Sequence, residues 1–250
     1  MTEILAARDA YAPSVGTHVR AVAEDTDGTP LVVLDRTVFY PGGGGQPSDS
    51  GLLLRDADGR SWTVSGIRRF GGEVAHALVL APDAEPPSVG DALVAEVDWA
   101  RRYALMRTHT ALHALCGVVW RDYGALVTGG NMEPGAGRMD FEFERLSSDL
   151  VGAIEATVNA ELAQDRPVHV RFLPRAEAFA IPDLIRTKVN LLPEAIEEIR
   201  IVDIEGLDLQ ADGGTHVHRT SEVGRIEVTG YESKGRINKR IRLRLVAPEA

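Results

Sequence analysis

Ala92-Leu-Val-Ala-Glu-Val97, then Asp98, then Trp99-Ala-Arg-Arg-Tyr-Ala-Leu-Met-Arg-Thr-His-Thr-Ala-Leu-His-Ala-Leu-Cys-Gly-Val-Val-Trp120 is the stretch at which the chain changes texture. Its first part is a short apolar run of strand length. Asp98 suits a helix N-cap, and residues 99–120 hold no proline and one glycine, so a long helix is expected. Upstream, residues 31–34, 52–54, 62–67 and 74–80 are short apolar or alternating runs between Gly, Pro and Asp turns. Such spacing predicts a small β-barrel over residues 1–92. Residues 81–90, rich in proline and acid, read as a hairpin loop or the edge of a linker. Downstream, a Gly-rich break from 124 to 137 precedes an alternating strand at 138–143. Ser147 or Ser148 can cap a second helix, in which Leu150, Ile154, Val158 and Leu162 recur every four residues as a buried stripe. Pro167 ends it. Strands are expected at 168–173, 200–204, 224–231 and 240–246, with short amphipathic pieces around Pro182 and Pro193. The expected class is α+β: a small N-terminal barrel, then at 93–250 an α/β domain with a mainly antiparallel sheet packed by helices.

Across 250 residues, 44% hydrophobic and 26% charged side chains exclude a disordered, collagenous or coiled-coil chain. No apolar run approaches the ~20 residues that cross a bilayer, so no membrane association is expected. The first residues lack the basic start and apolar core of an export signal. The single cysteine, Cys116, rules out an internal disulfide framework and fits a reducing cytoplasm. A net charge of −10 argues against non-specific binding to nucleic acid. Its distribution is uneven, however. Lys234, Arg236, Lys239, Arg240, Arg242 and Arg244 fall within one short run, opposed there only by Glu232. That run is either a local phosphate-binding face or a solvated strand edge.

His109 and His113 stand four residues apart on the expected helix. This puts both imidazoles on one face, able to reach one metal ion, unless they are a surface pair or a satisfied core histidine. No glutamate follows the first histidine, so the metalloprotease motif is absent. In Asp212-Gly-Gly-Thr-His-Val217, two glycines permit a sharp turn that can swing Asp212 and His216 toward one point, completing a tetrahedral set, or they form a plain hairpin turn. Cys116 lies ~10 Å along the helix from His109, too far to share its ion, and reads as a small buried apolar side chain. The third feature is Thr37-Val-Phe-Tyr-Pro-Gly-Gly-Gly-Gly-Gln-Pro47. Its four glycines allow backbone N–H groups to approach an anion, although a mobile loop reads equally well. No Lys-Ser/Thr follows them, so nucleotide hydrolysis is not expected.

Taken in order, the glycine-rich segment, Met106-Arg-Thr-His-Thr-Ala-Leu-His113, the Gly-Gly-Thr-His-Val segment and Glu232-Ser-Lys-Gly-Arg-Ile-Asn-Lys-Arg-Ile241 resemble the editing domain of alanyl-tRNA synthetase. More closely, they resemble the free-standing AlaX-type alanyl-tRNA editing proteins of medium length. The resemblance covers nearly the whole chain. It departs at one position: the family has Cys-Gly-Gly-Thr-His, and here Asp212 stands where the cysteine ligand would be. A carboxylate carries the same charge as a thiolate and also binds zinc.

The resemblance implies an ATP-independent aminoacyl-tRNA deacylase, a carboxylic ester hydrolase of protein-synthesis quality control. Its domain at 93–250 would be the editing domain. Its partner would be mischarged tRNA(Ala) carrying serine, with glycine as a second candidate, and no obligate protein partner is evident. One Zn2+ per chain would be held by His109, His113, Asp212 and His216, or by the three histidines with Asp212 as base or outer partner. Thr128 is the candidate hydroxyl-sensing group, beside its reading as a turn threonine. Gly43, Gly44, Gly45, Gln46, Gly213, Gly214 and Thr215 would face the substrate, and Lys234 and Arg240 the tRNA phosphates. Two other readings stay open: a metal-dependent hydrolase of a small amino-acid ester or amide, and a non-catalytic tRNA- or zinc-binding module.

Overall fold

The computed structural model describes residues 1–187 and 196–246; the amphipathic piece expected around Pro193 lies outside them. Two compact units result, one of Met1–Gly43 with Pro47–Tyr103, the other of Gly44–Gln46 with Ala104–Ala250.

The first unit contains β1 (Glu3–Ile4), β2 (Ser14–Glu24), β3 (Pro30–Leu34), β4 (Arg36–Thr37), β5 (Gly51–Arg55), β6 (Arg60–Phe70), β7 (Glu73–Val79) and β8 (Ala92–Val97). Six of these close an antiparallel barrel in the order β2-β3-β7-β6-β5-β8. Alternation along the strands sends Leu93, Ala95 and Val97 of β8 and Trp62 and Val64 of β6 into its core. β2 escapes a reading from sequence because only Thr17 and Val19 of its eleven residues are buried. β8 pairs with β2 on one side and β5 on the other, so residues 92–97 stay with the barrel. The sequence sets a domain boundary after residue 92; the division between units falls inside α1 (Trp99–Tyr123). Asp98 caps that helix, its carboxylate accepting from the Arg101 backbone N–H at 3.1 Å. One helical position later, Arg102 is fully buried. Its guanidinium binds the Asp49 carboxylate and the carbonyls of Val38 and Ala10, which satisfies a charge that burial would otherwise make costly.

The second unit holds the rest of α1, α2 (Ser148–Leu162) and the short α3 (Arg175–Phe179). Its strands are β9 (Val127–Glu133), β10 (Ala136–Glu142), β11 (Val168–Pro174), β12 (Glu198–Ile204), β13 (Asp208–Ala211), β14 (Arg225–Ser233) and β15 (Asn238–Val246). They pair antiparallel as two sheets, β14-β15-β10-β9 and β11-β12-β13. The Ser147 hydroxyl caps α2, accepting from the Leu150 N–H. The stretch expected as a Gly-rich break is in large part strand β9. Its Gly129 and Gly130 hide the strand signal, and they leave room for Gly45, where an added Cβ would lie 3.2 Å from the Gly130 carbonyl oxygen. The Met132 N–H donates to the Gly45 carbonyl at 3.1 Å, tying the Gly44–Gln46 segment to β9. Within α1, every residue from 108 to 119 is buried. A helix covered on all sides places its polar side chains in the interior, where each needs a partner.

Candidate metal centre

Two of those interior side chains are His109 and His113, one turn apart on α1. The chain leaving β13 turns through Gly213 and Gly214 and brings Asp212 and His216 to the same place. The ligand-capable atoms of these four residues all lie within 4.8 Å of one another. The ring centroids of His109 and His216 are 4.2 Å apart, and that of His113 is 5.0 Å from the first and 4.6 Å from the second.

The outer nitrogen of each ring is already engaged. His109 Nδ1 meets Gln46 Oε1 at 3.0 Å, and His113 Nδ1 meets Asp208 Oδ2 at 3.0 Å. His216 Nδ1 meets Thr110 Oγ1 at 3.1 Å. Gln46 Oε1 also accepts from the Thr215 N–H, and a carboxylate only accepts, so His109 and His113 must donate through Nδ1. Their Nε2 lone pairs are thereby left for the centre. His109 Nε2 lies 3.6 Å from Asp212 Oδ1, and His216 Nε2 lies 3.3 Å from Asp212 Oδ2. Unprotonated imidazole nitrogens beside an ionised carboxylate are a donor set that could hold a metal ion.

At His109, His216 and Asp212 the electrostatics agree with that protonation state. Burial pushes His109 down to about 4 and, with His109 beside it, holds His216 well below its ordinary value. Burial alone would raise Asp212; the facing imidazoles, His109 first, outweigh it and keep the carboxyl well below the usual range. Burial would lower His113, but its bond to Asp208 and the charge there carry it upward.

Glycines make the approach possible. A Cβ on Gly214 would lie 2.3 Å from His109 Cε1 and 2.7 Å from Gln46 Oε1. The Gly214 N–H donates to Asp212 Oδ2 at 2.6 Å, aiming the carboxylate. Gly44, at φ +59°, passes close enough that a Cβ there would stand 3.7 Å from Asp212 Oδ1.

A cleft of about 770 Å³ opens on the centre. His109, His113 and Asp212 line it, with Gly44, Gly45, Gly213 and Thr128. Leu112, Val127, Met132, Met139 and Leu184 supply apolar wall. The Thr128 hydroxyl donates to Asn238 Oδ1 at 2.7 Å. Cys116 is buried, and burial raises its thiol well above the ordinary value, as suits an uncharged core side chain.

Three residues sit differently from the sequence expectation. Gln46 is buried, its Oε1 bound to His109 and Thr215 and its Nε2 donating to the Thr215 hydroxyl at 2.9 Å. There it orients His109 and the 212–216 turn. Gly43 belongs to the first unit, where its carbonyl accepts from the Tyr40 hydroxyl. Arg240 binds both oxygens of Asp140 across the β10–β15 pair, at 2.7 and 2.8 Å. Three more residues of the basic run pair with carboxylates, Arg242 and Lys234 with Glu232 and Arg244 with Glu227, while Lys239 donates to the carbonyls of Gly235 and Arg236. Sequence reasoning missed Asp208, Gln210 and Thr110. A spacing of two puts Asp208 and Gln210 on one strand face, and that alternation was the signal available.

Two family models match the chain, the threonyl and alanyl tRNA synthetase second additional domain at residues 199–242 and tRNA synthetases class II (A) at residues 12–101. The alanyl-tRNA editing protein AlaX-M of Methanosarcina barkeri is 37% identical over 98% of this chain and 100% of its own. That of Saccharolobus solfataricus is 35% identical over 96% of this chain and 98% of its own. The alanine–tRNA ligase of Pyrobaculum aerophilum is 38% identical over 80% of this chain but only 22% of the ligase.

Proposed function

The chain belongs to the AlaX-M family of alanyl-tRNA editing proteins, and on that premise we propose that it is a trans-editing deacylase. It hydrolyses the ester joining serine, and secondarily glycine, to the 3′ end of tRNA(Ala). The observation that carries the reading is the cluster of His109, His113, Asp212 and His216 at a cleft large enough for an aminoacylated terminal nucleoside.

The need for such an enzyme follows from binding energies. A synthetase pocket built for alanine gains only ~1–3 kcal/mol from the methyl group that glycine lacks, and it rejects an added hydroxyl by roughly 10². A second site that hydrogen-bonds the serine hydroxyl can remove the error, because alanine would leave that polar group unpaired.

His109, His113, Asp212 and His216 would hold a zinc ion, which when bound would supply Lewis acidity toward the aminoacyl ester. The protein's own groups do the rest. Gln46 and Asp208 keep His109 and His113 in one tautomer, and Thr110 helps to orient His216. Thr128 gives its proton to Asn238, so its remaining lone pairs are available to accept from a serine hydroxyl in the cleft. The apolar wall from Leu112 to Leu184 sheds water around the ester. Lys234, whose side chain is 42% exposed, is the better phosphate candidate, because Arg240 is 15% exposed and held to both oxygens of Asp140.

The deciding experiment is deacylation of Ser-tRNA(Ala), Gly-tRNA(Ala) and Ala-tRNA(Ala) by purified zinc-loaded protein. Ser-tRNA(Ala) should be hydrolysed fastest and Ala-tRNA(Ala) spared. No hydrolysis of any of them would leave a binding module. Equal rates on a seryl ester lacking the tRNA would favour a small-ester hydrolase.

A further inference from the structure

The buried carboxylate of Asp208 is the largest feature around the centre that the chemistry above uses only in passing. Its side chain is completely buried. Oδ2 accepts from His113 Nδ1 at 3.0 Å and from Gln210 Nε2 at 2.6 Å. Oδ1 is buried as well and has no hydrogen-bond partner among the described residues. A carboxylate left half-satisfied in the interior is costly, and a fold retains one where a nearby positive charge offsets it.

Its placement is fixed by close packing. Gly117 follows His113 by one turn of α1, and a Cβ there would lie 2.7 Å from the Leu207 carbonyl oxygen and 3.0 Å from Asp208 Cβ. Only a glycine lets the start of β13 come this near the helix. The carboxylate therefore arrives beside His113, within hydrogen-bond reach of its Nδ1.

We infer that Asp208 is a positioning residue for the metal centre. It locks His113 in the tautomer whose Nε2 lone pair faces the centre, and its charge, passed through the imidazole, strengthens that ligand's hold on a divalent cation. The carboxylate–histidine–metal relay is a general device, and loss of the outer partner typically costs ~10–100-fold in metal affinity. The inference rests on the cluster being a metal centre. It adds a second anion to the site, one imidazole removed from the ion.

The test is zinc affinity, measured by competition with a chromogenic chelator, for wild type and Asp208→Asn. The asparagine keeps size and can still accept from Nδ1, but removes the charge. Zinc affinity should fall ~10–100-fold. The metal-free melting temperature should change little, since the asparagine oxygen can still accept from His113 and Gln210. A merely structural role would give the reverse, a lower metal-free melting temperature with unchanged affinity, and would overturn the inference. Wild type binding no zinc would overturn the metal centre itself, whereas equal tight binding by both proteins would overturn this inference alone. A second measurement needs no variant. In the wild-type protein loaded with cadmium-113, the nitrogen-15 spectrum should show metal coupling at His113 Nε2 and a proton on Nδ1. Coupling at Nδ1 would also overturn the assignment.

Discussion

Gly214→Ala is the sharpest test of the centre's geometry. The new methyl carbon would stand 2.3 Å from His109 Cε1, 2.4 Å from its Nδ1 and 2.7 Å from Gln46 Oε1. Non-bonded carbons settle at ~3.5 Å, so the ring or the 212–216 turn must give by about 1 Å. The ring has little room, because His109 is 4% exposed on a helix covered on all sides. Metal–ligand distances tolerate only ~0.2 Å, so a shift of this size takes either His109 or Asp212 off the ion. Overpacking of this kind costs ~1–3 kcal/mol of stability, and a ~1 Å misplacement costs ~10² in rate. Gly214 has no left-handed φ, so the effect is steric and not conformational. Gly213→Ala is the control: it also lacks a left-handed φ, and a Cβ there meets nothing within 4 Å. Zinc content, Ser-tRNA(Ala) deacylation and melting temperature should be measured on both. Gly214→Ala should lose most of its zinc and at least ~10² in rate, while Gly213→Ala keeps its zinc. Wild-type zinc content and rate in Gly214→Ala would refute the reasoning.

Three further expectations follow the same geometry. Asp212→Cys, which restores the family's ligand and keeps the charge, should retain zinc, whereas Asp212→Ala should lose it; metal analysis showing full zinc in the alanine variant would remove Asp212 from the ligand set. Thr128→Val should slow Ser-tRNA(Ala) deacylation ~10- to 100-fold, the worth of one hydrogen bond at ~1–3 kcal/mol, and bring the serine and alanine rates together; an unchanged ratio places discrimination elsewhere in the cleft. In the barrel, burial pushes His76 down to about 4, against a partial lift from the Val32 carbonyl, and its other nitrogen meets the Thr37 hydroxyl at 2.8 Å. The folded state resists protonation that the unfolded chain accepts near 6.5, so stability is full above that pH and falls as pH drops toward about 4. The loss is on the order of 3 kcal/mol, and melting curves of wild type should fall more steeply across this window than those of His76→Gln; parallel curves would contradict it.

The sequence by itself determined the α+β class, the barrel strands with strong alternation, the long helix capped by Asp98, and the four residues of the centre. Each of these rests on a local signal: a period of two or four, a capping residue, or histidines one turn apart. The texture change at 92–99 was enough to place barrel before helix. What it could not determine is who satisfies whom. Gln46 reads as part of a flexible glycine loop, yet it is the partner of His109 and Thr215, more than sixty residues distant from the first. Asp208 carries no local signal pointing to His113, yet it becomes the buried partner of that residue because Gly117 lets β13 approach α1. β9 was hidden by two glycines, and Arg240 looked like a free cation until β10 brought Asp140 beside it. Burial creates these roles. A helix covered from 108 to 119 must find interior partners for its polar side chains, and only the tertiary packing decides which residues those are.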